Sequence, residues 1–126
     1  NYYMKNYEDA IFYGTKVSGK FPNYYYTSII MVIRSYYELR DFKSVHTFFE
    51  NLKQYLKRKK NLNDFDHNNL KTFITFFSKF IKLTETSSCR PYVHKNSKKL
   101  LELKYEIEMA GEKLDSSKWF LQKLNN

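Results

Sequence analysis

Tyr2-Tyr3 followed by Tyr7-Glu8-Asp9-Ala10 returns later in the chain as Tyr36-Tyr37 followed by Phe42-Lys43-Ser44-Val45. The two tyrosine pairs stand 34 residues apart and the downstream aromatics 35 apart. A sequence that repeats with a period of about 20–50 residues builds a stacked array, because one unit cannot bury its apolar face alone. A period of about 34 residues accommodates two helices and their turns. The chain is therefore expected to be all-α, made of antiparallel helical hairpins. Glycine and proline are too scarce for the alternative: three Gly and two Pro cannot supply the turns of an all-β protein of 126 residues.

The apolar spacing predicts where the helices run. Tyr7, Ala10, Ile11, Gly14 and Val17 recur at three and four residues, so a first helix is expected from about Tyr2 to Val17, closed by Ser18-Gly19. Pro22 suits the start of the next, from Asn23 to about Leu39, with Tyr26, Ile29, Ile30, Ile33, Tyr36 and Tyr37 inward. Asp41 can cap a third helix carrying Phe42, Val45, Phe48, Phe49, Leu52, Tyr55 and Leu56, which Lys57-Arg58-Lys59-Lys60 terminates. Asn61 to Asn68 reads as a polar connection with Asp66 as the next cap. A fourth helix is expected from Asn69 to about Leu83, then a loop from Thr84 to Pro91. A fifth begins at Tyr92 or Ser97 and ends at Ala110 under a left-handed Gly111, and a short last helix starts at Asp115.

Ile29 to Leu56 resembles one tetratricopeptide repeat: Ile29, Val32, Ile33, Tyr36, Phe42, Val45, Phe49 and Leu52 stand at the motif's places. Tyr7, Ala10, Gly14, Val17 and Pro22 are similar to the second half of a preceding repeat, with Ala10 at its tightest crossing. Leu70, Phe73, Ile74 and Phe77 are similar to the first helix of a following one. The family's small residue at the close helix approach is Ile33 in one unit and Ile74 in the next, which implies a wider pairing there. The ending, Leu100 to Leu124, looks like a terminal cap, and the whole is similar to the C-terminal parts of bacterial proteins built from such repeats. The resemblance implies a single domain over residues 1–126, stacked as a short right-handed superhelix. Its parts would be the second helix of an incomplete repeat (about 2–18), one full repeat (23–60), a divergent helix pair (66–111) and a capping helix (115–124).

The resemblance also implies a function: a non-catalytic interaction or scaffold module that holds a peptide or protein segment on its concave face. Carried over residue by residue, that face receives Arg34 and Tyr37, joined by Lys71, Thr75 and Lys79. Such a groove would hold carboxylates with its cations and apolar side chains with its ring.

Twenty-two Lys and Arg against thirteen Asp and Glu leave a formal charge of +9, which raises the question of an acidic partner. The densest cluster is Lys53, Lys57, Arg58, Lys59 and Lys60, the feature through which a nucleic acid or acidic polymer would be bound if the protein binds one. A purely structural role as the end of a longer array is the third reading. Catalytic, cofactor and metal sites are not expected. His46, His67 and His94 lie on different segments without a second ligand at helical spacing. Cys89 lacks an oriented base in the sequence around it, Glu8-Asp9 and Glu106/Glu108 read as solvated faces, and no glycine-rich phosphate loop occurs. The longest apolar run, Ile29 to Ile33, is far below the roughly 20 residues of a membrane span. A lone cysteine fits a reducing compartment, so a cytoplasmic location is expected.

The half-unit at the start, Tyr7, Ala10 and Val17 without a full preceding helix, carries one further expectation. The chain would be the C-terminal fragment of a longer array, associating with itself through the N-terminal segment and gaining solubility when upstream sequence is restored. Sedimentation at high concentration checks this, and a strictly monomeric chain would speak against it.

Overall fold

The computed structural model describes residues 2–58, 62–88 and 98–125, with backbone alone at 2–5 and 86–88. Among the described residues there are six α-helices and no strand. They are α1 (Tyr2–Lys20), α2 (Tyr25–Glu38), α3 (Phe42–Arg58), α4 (Asp64–Ser88), α5 (Lys98–Ala110) and α6 (Ser117–Asn125). The chain divides into two compact units, Asn1–Lys60 and Asn61–Asn126.

The first unit is α1, α2 and α3, with α2 packed against both neighbours. Helix α1 runs through Ser18-Gly19 to Lys20, past its expected end. A single glycine in a last turn costs only about 1 kcal/mol, and the turn keeps its bonds: the Phe21 N–H donates to the Val17 carbonyl at 2.9 Å and the Ser18 hydroxyl to that of Thr15 at 2.8 Å. Pro22 then opens a one-turn 3-10 segment to Tyr24, where its missing N–H is not needed, and α2 proper begins at Tyr25. Being the middle helix, α2 is buried on more than one side: Ile29, Ile30, Val32, Ile33 and Tyr37 are all inside, while Tyr26 and Tyr36 are half-buried.

On the α1 side the closest approach is at Gly14. A Cβ there would stand 2.8 Å from Val32 Cγ2 and 2.9 Å from Met31 Cε. Ala10, the residue the repeat motif puts at the tight crossing, is half-buried. On the α3 side the contact is made of rings. Tyr25 stacks on Tyr55 with centroids 4.3 Å apart, Tyr36 on Phe48 at 5.4 Å, and Tyr37 meets Phe42 edge-on at 5.6 Å. The start of α2 thus meets the end of α3 and the reverse, which is an antiparallel pair. Val45, Phe49 and Leu52 are buried beneath these rings, whereas Phe42 and Tyr36 are half-buried.

The turn between α2 and α3 closes both helices. The Asp41 N–H donates to the Tyr36 carbonyl and the Arg40 N–H to that of Tyr37, each at 3.0 Å, a double-bonded helix ending that places Arg40 in the left-handed region at φ 61°. Asp41 caps α3 as expected, accepting from the Ser44 N–H at 3.2 Å and hydroxyl at 2.8 Å.

The second unit is α4, α5 and α6. Helix α4 is longer than expected at both ends. Its cap is Asn63 rather than Asp66: the Asn63 side-chain oxygen accepts the Asp66 N–H at 2.7 Å. This leaves Asp64 and Asp66 inside the first turn, where the helix dipole favours carboxylates. Thr84 does not break the helix, because its hydroxyl donates to the Phe80 carbonyl at 3.0 Å within it. The expected starts of α5 at Tyr92 or Ser97, together with Cys89, Pro91 and His94, lie outside the described residues. Gly111 ends α5 with φ 54°, as its position suggested. Helix α6 begins at Ser117, two residues later than Asp115, because Ser116 takes a left-handed φ of 68° before it.

Helix α6 is more than a lid. Phe120 is fully buried, with its ring centroid 5.0 Å from Phe80, 5.8 Å from Phe73 and 6.2 Å from Phe77, and Trp119 packs on Phe80 at 5.3 Å. Leu70, Leu100, Leu103, Ile107 and Leu114 complete this core.

Two glycines in α1 should respond oppositely to alanine. Gly19→Ala, with nothing within 4 Å of the new methyl, should gain about 0.5–1 kcal/mol. Gly14→Ala should lose about 1–3 kcal/mol, because the stiff, buried Val32 cannot yield. Denaturant melts of both variants check this, and a stabilised Gly14→Ala would refute the close approach. Phe120→Ala should cost about 3–5 kcal/mol.

Candidate interaction surfaces

The residues expected to form a ligand groove fall in both units. Arg34 and Tyr37 belong to the first, and Lys71, Thr75 and Lys79 to the second. Tyr37 is 5% exposed, held edge-on against Phe42 with the Arg40 guanidinium 6.0 Å above its ring. Its ring is therefore part of the α2–α3 packing, in keeping with its place on the inward stripe of α2. Arg34 is half-buried. On α4, Lys71, Thr75 and Lys79 are exposed at i, i+4, i+8, one polar stripe opposite the buried Phe73, Phe77 and Phe80. The Thr75 hydroxyl donates to the Lys71 carbonyl at 2.9 Å. Lys79 pairs with Glu106 of α5 at 3.0 Å and lies 5.8 Å from the Phe76 ring. Of this set, Lys71 carries the charge most available to a ligand.

The basic cluster is described at Lys53, Lys57 and Arg58; Lys59 and Lys60 lie outside the described residues. Lys53 is engaged within its own helix, 3.2 Å from Glu50 and 5.1 Å from the Phe49 ring. Hydrogen bonds from Gln54 and from Lys53 hold the Glu50 carboxyl below its ordinary range. Lys57 and Arg58, both exposed, face solvent at the end of α3. Arg58 stands close enough to Tyr25 to oppose the effect of burial, which nonetheless pushes that hydroxyl up.

The up-down-up order brings other residues to the same end. The last turns of α1 and α3 and the first turn of α2 meet there, tied by the Tyr25–Tyr55 stack and by the Tyr24 N–H donating to the Phe21 carbonyl at 2.9 Å. Lys16 and Lys20 are exposed on α1, and Phe21 and Tyr24, at 54% and 60% exposure, are open to solvent in the connection. No Asp or Glu occurs from residue 10 to 37 or from 51 to 63. The carboxylates of this unit, Glu8, Asp9, Glu38, Asp41 and Glu50, fall outside these terminal turns in sequence, and of them Glu50 feels the Lys57 charge along α3. Lys16, Lys20, Phe21 and Tyr24 are missing from the groove and cluster expected from the sequence. The two acid-free stretches are the signal that would have found them, since an antiparallel hairpin folds one onto the other.

No group of three His, Cys, Asp or Glu side chains among the described residues could hold a metal, and His46 and His67 are both exposed. Glu8, Asp9 and Glu108 are exposed. No helix among the described residues is long and apolar enough to cross a membrane.

The Tyr25 hydroxyl should ionise above the ordinary tyrosine range, because burial outweighs the Arg58 charge. Arg58→Gln removes the opposing charge and should move it higher still, as NMR of ring-labelled tyrosine would resolve. An unchanged titration would separate Arg58 from this end of the unit. Comparison with protein-family models, with curated proteins and with solved structures yields no match.

Proposed function

We propose that the chain is a non-catalytic interaction module of the cytoplasm, its hairpins stacked as a short right-handed superhelix of the tetratricopeptide kind, which binds a peptide or protein segment. The observation that carries this reading is the way the first unit is built. Val32, Ile33, Val45, Phe49 and Leu52, all at places the repeat motif reserves for packing, are 0–5% exposed. Stability in such a unit comes from helix-on-helix burial, which leaves the outward positions free to serve a ligand. Among the residues expected to line a groove, each unit by itself supplies a cation that suits a carboxylate: Arg34 of the first through a two-pronged hydrogen bond and Lys71 of the second as a point charge.

A panel of synthetic peptides, each with a free or an amidated C-terminus, tests the reading by fluorescence anisotropy. Binding should favour the free carboxylate, and Arg34→Ala and Lys71→Ala should each weaken it about tenfold, in line with charge-assisted bonds of about 1.5–3 kcal/mol. Binding indifferent to Arg34→Ala would remove the groove from consideration.

A further inference from the structure

We propose that the end of the first unit where α1, α2 and α3 meet is a binding site for single-stranded nucleic acid, made by Lys16, Lys20, Lys57 and Arg58 around the open rings of Phe21 and Tyr24. This proposal does not rest on the peptide-binding reading. The charge argument comes first. All four cations are exposed, and they sit in stretches of 28 and 13 residues, 10–37 and 51–63, that contain no acid. Cations at the ends of α1 and α3 are favoured by the helix dipole, which explains their presence there. It does not explain why carboxylates are excluded from the whole end, including the first turn of α2, where the dipole would favour them. Lys16 lies 4.9 Å from the Phe12 ring and Lys57 acts on Glu50 along α3, and a surface so dominated by one sign of charge fits a polyanion.

The rings decide which polyanion. Phe21 and Tyr24 are more than half exposed, while Tyr25 and Tyr55 beneath them are stacked face to face at 4.3 Å. Flat π surfaces beside ammonium and guanidinium groups match unpaired bases with their phosphates, and base–ring stacking tolerates any sequence. A duplex hides its base faces and could use only the charges. A bilayer would take the charges too, but it rewards a broad apolar face that includes aliphatic side chains, and the exposed apolar groups beside these cations are the rings of Phe12, Phe21 and Tyr24. With α1 and α3 each about 8–10 Å from α2, their axes are no more than about 16–20 Å apart, a width that a few nucleotides can cross.

The experiment is anisotropy with a fluorescein-labelled fifteen-residue oligo-dT at several salt concentrations. Its duplex, phosphatidylserine vesicles and polyglutamate serve as rival ligands. The single strand should bind best, with a log–log salt slope near −3 for four neutralised phosphates at about −0.7 each. Combined Lys20→Gln, Lys57→Gln and Arg58→Gln should cut that slope by about 2. Phe21→Ala and Tyr24→Ala should each weaken binding about tenfold with the slope unchanged. Phe21→Leu and Tyr24→Leu, which keep apolar bulk but lose the π face, should weaken it as well and guard against an effect of altered folding. Phe65→Ala, at a ring 73% exposed in the other unit, should change nothing. Equal binding of vesicles or polyglutamate, ring variants that bind like the parent, or a Phe65→Ala loss of the same size would each overturn the proposal.

Discussion

A methyl group on Gly14 would come within 2.8 Å of Val32, so α1 and α2 touch at a distance that only glycine permits. That contact sets how the first unit is assembled. Helix α2 packs against α3 as well, and there rings rather than small residues make the contact. The middle helix then has little surface left for solvent, which is why Val32 and Ile33 are both fully buried although they point in different directions around it. One tight interface and one ring-filled interface thus share a single helix.

The second unit solves the same problem without a small residue at its centre. Four phenylalanines and Trp119 form a continuous cluster in which α4 supplies three rings and α6 two. Aromatic pairs at 5–6 Å contribute about 0.5–1.5 kcal/mol each beyond the area they bury. A helix as short as α6 would not persist in water alone; it holds because Trp119, Phe120 and Leu124 bury three of its nine residues in that cluster. The C-terminal residues are therefore structural members of this unit's core.

The distribution of charge follows from the same helix order. In an up-down-up unit, alternate loops gather at opposite ends, so residues far apart in sequence become neighbours at one end. The α2–α3 turn mixes both signs, with Glu38 and Asp41 beside Arg40 and Lys43, whereas the other end gathers Lys20, Lys57 and Arg58. Each side chain by itself is an ordinary surface residue. Together at one end they make a field that a polyanion can use.

The all-α character, most helix positions and most of the buried residues were legible in the sequence, because apolar side chains at three- and four-residue spacing can be buried only on a helix. Asp41 as a cap and Gly111 as a left-handed ending were legible for the same local reason. Helix ends were not, since Gly19, Thr84 and Asp66 are weak local signals that a backbone bond or a better cap, such as Asn63, overrides. Tertiary packing alone decided that Gly14 is the closest crossing and that Phe120 is central. It alone brought Lys16 and Lys20 to the same end as Lys57 and Arg58. Spacing along one helix defines a face, but what covers that face depends on which other helix arrives there, and that is settled by burial across the whole unit.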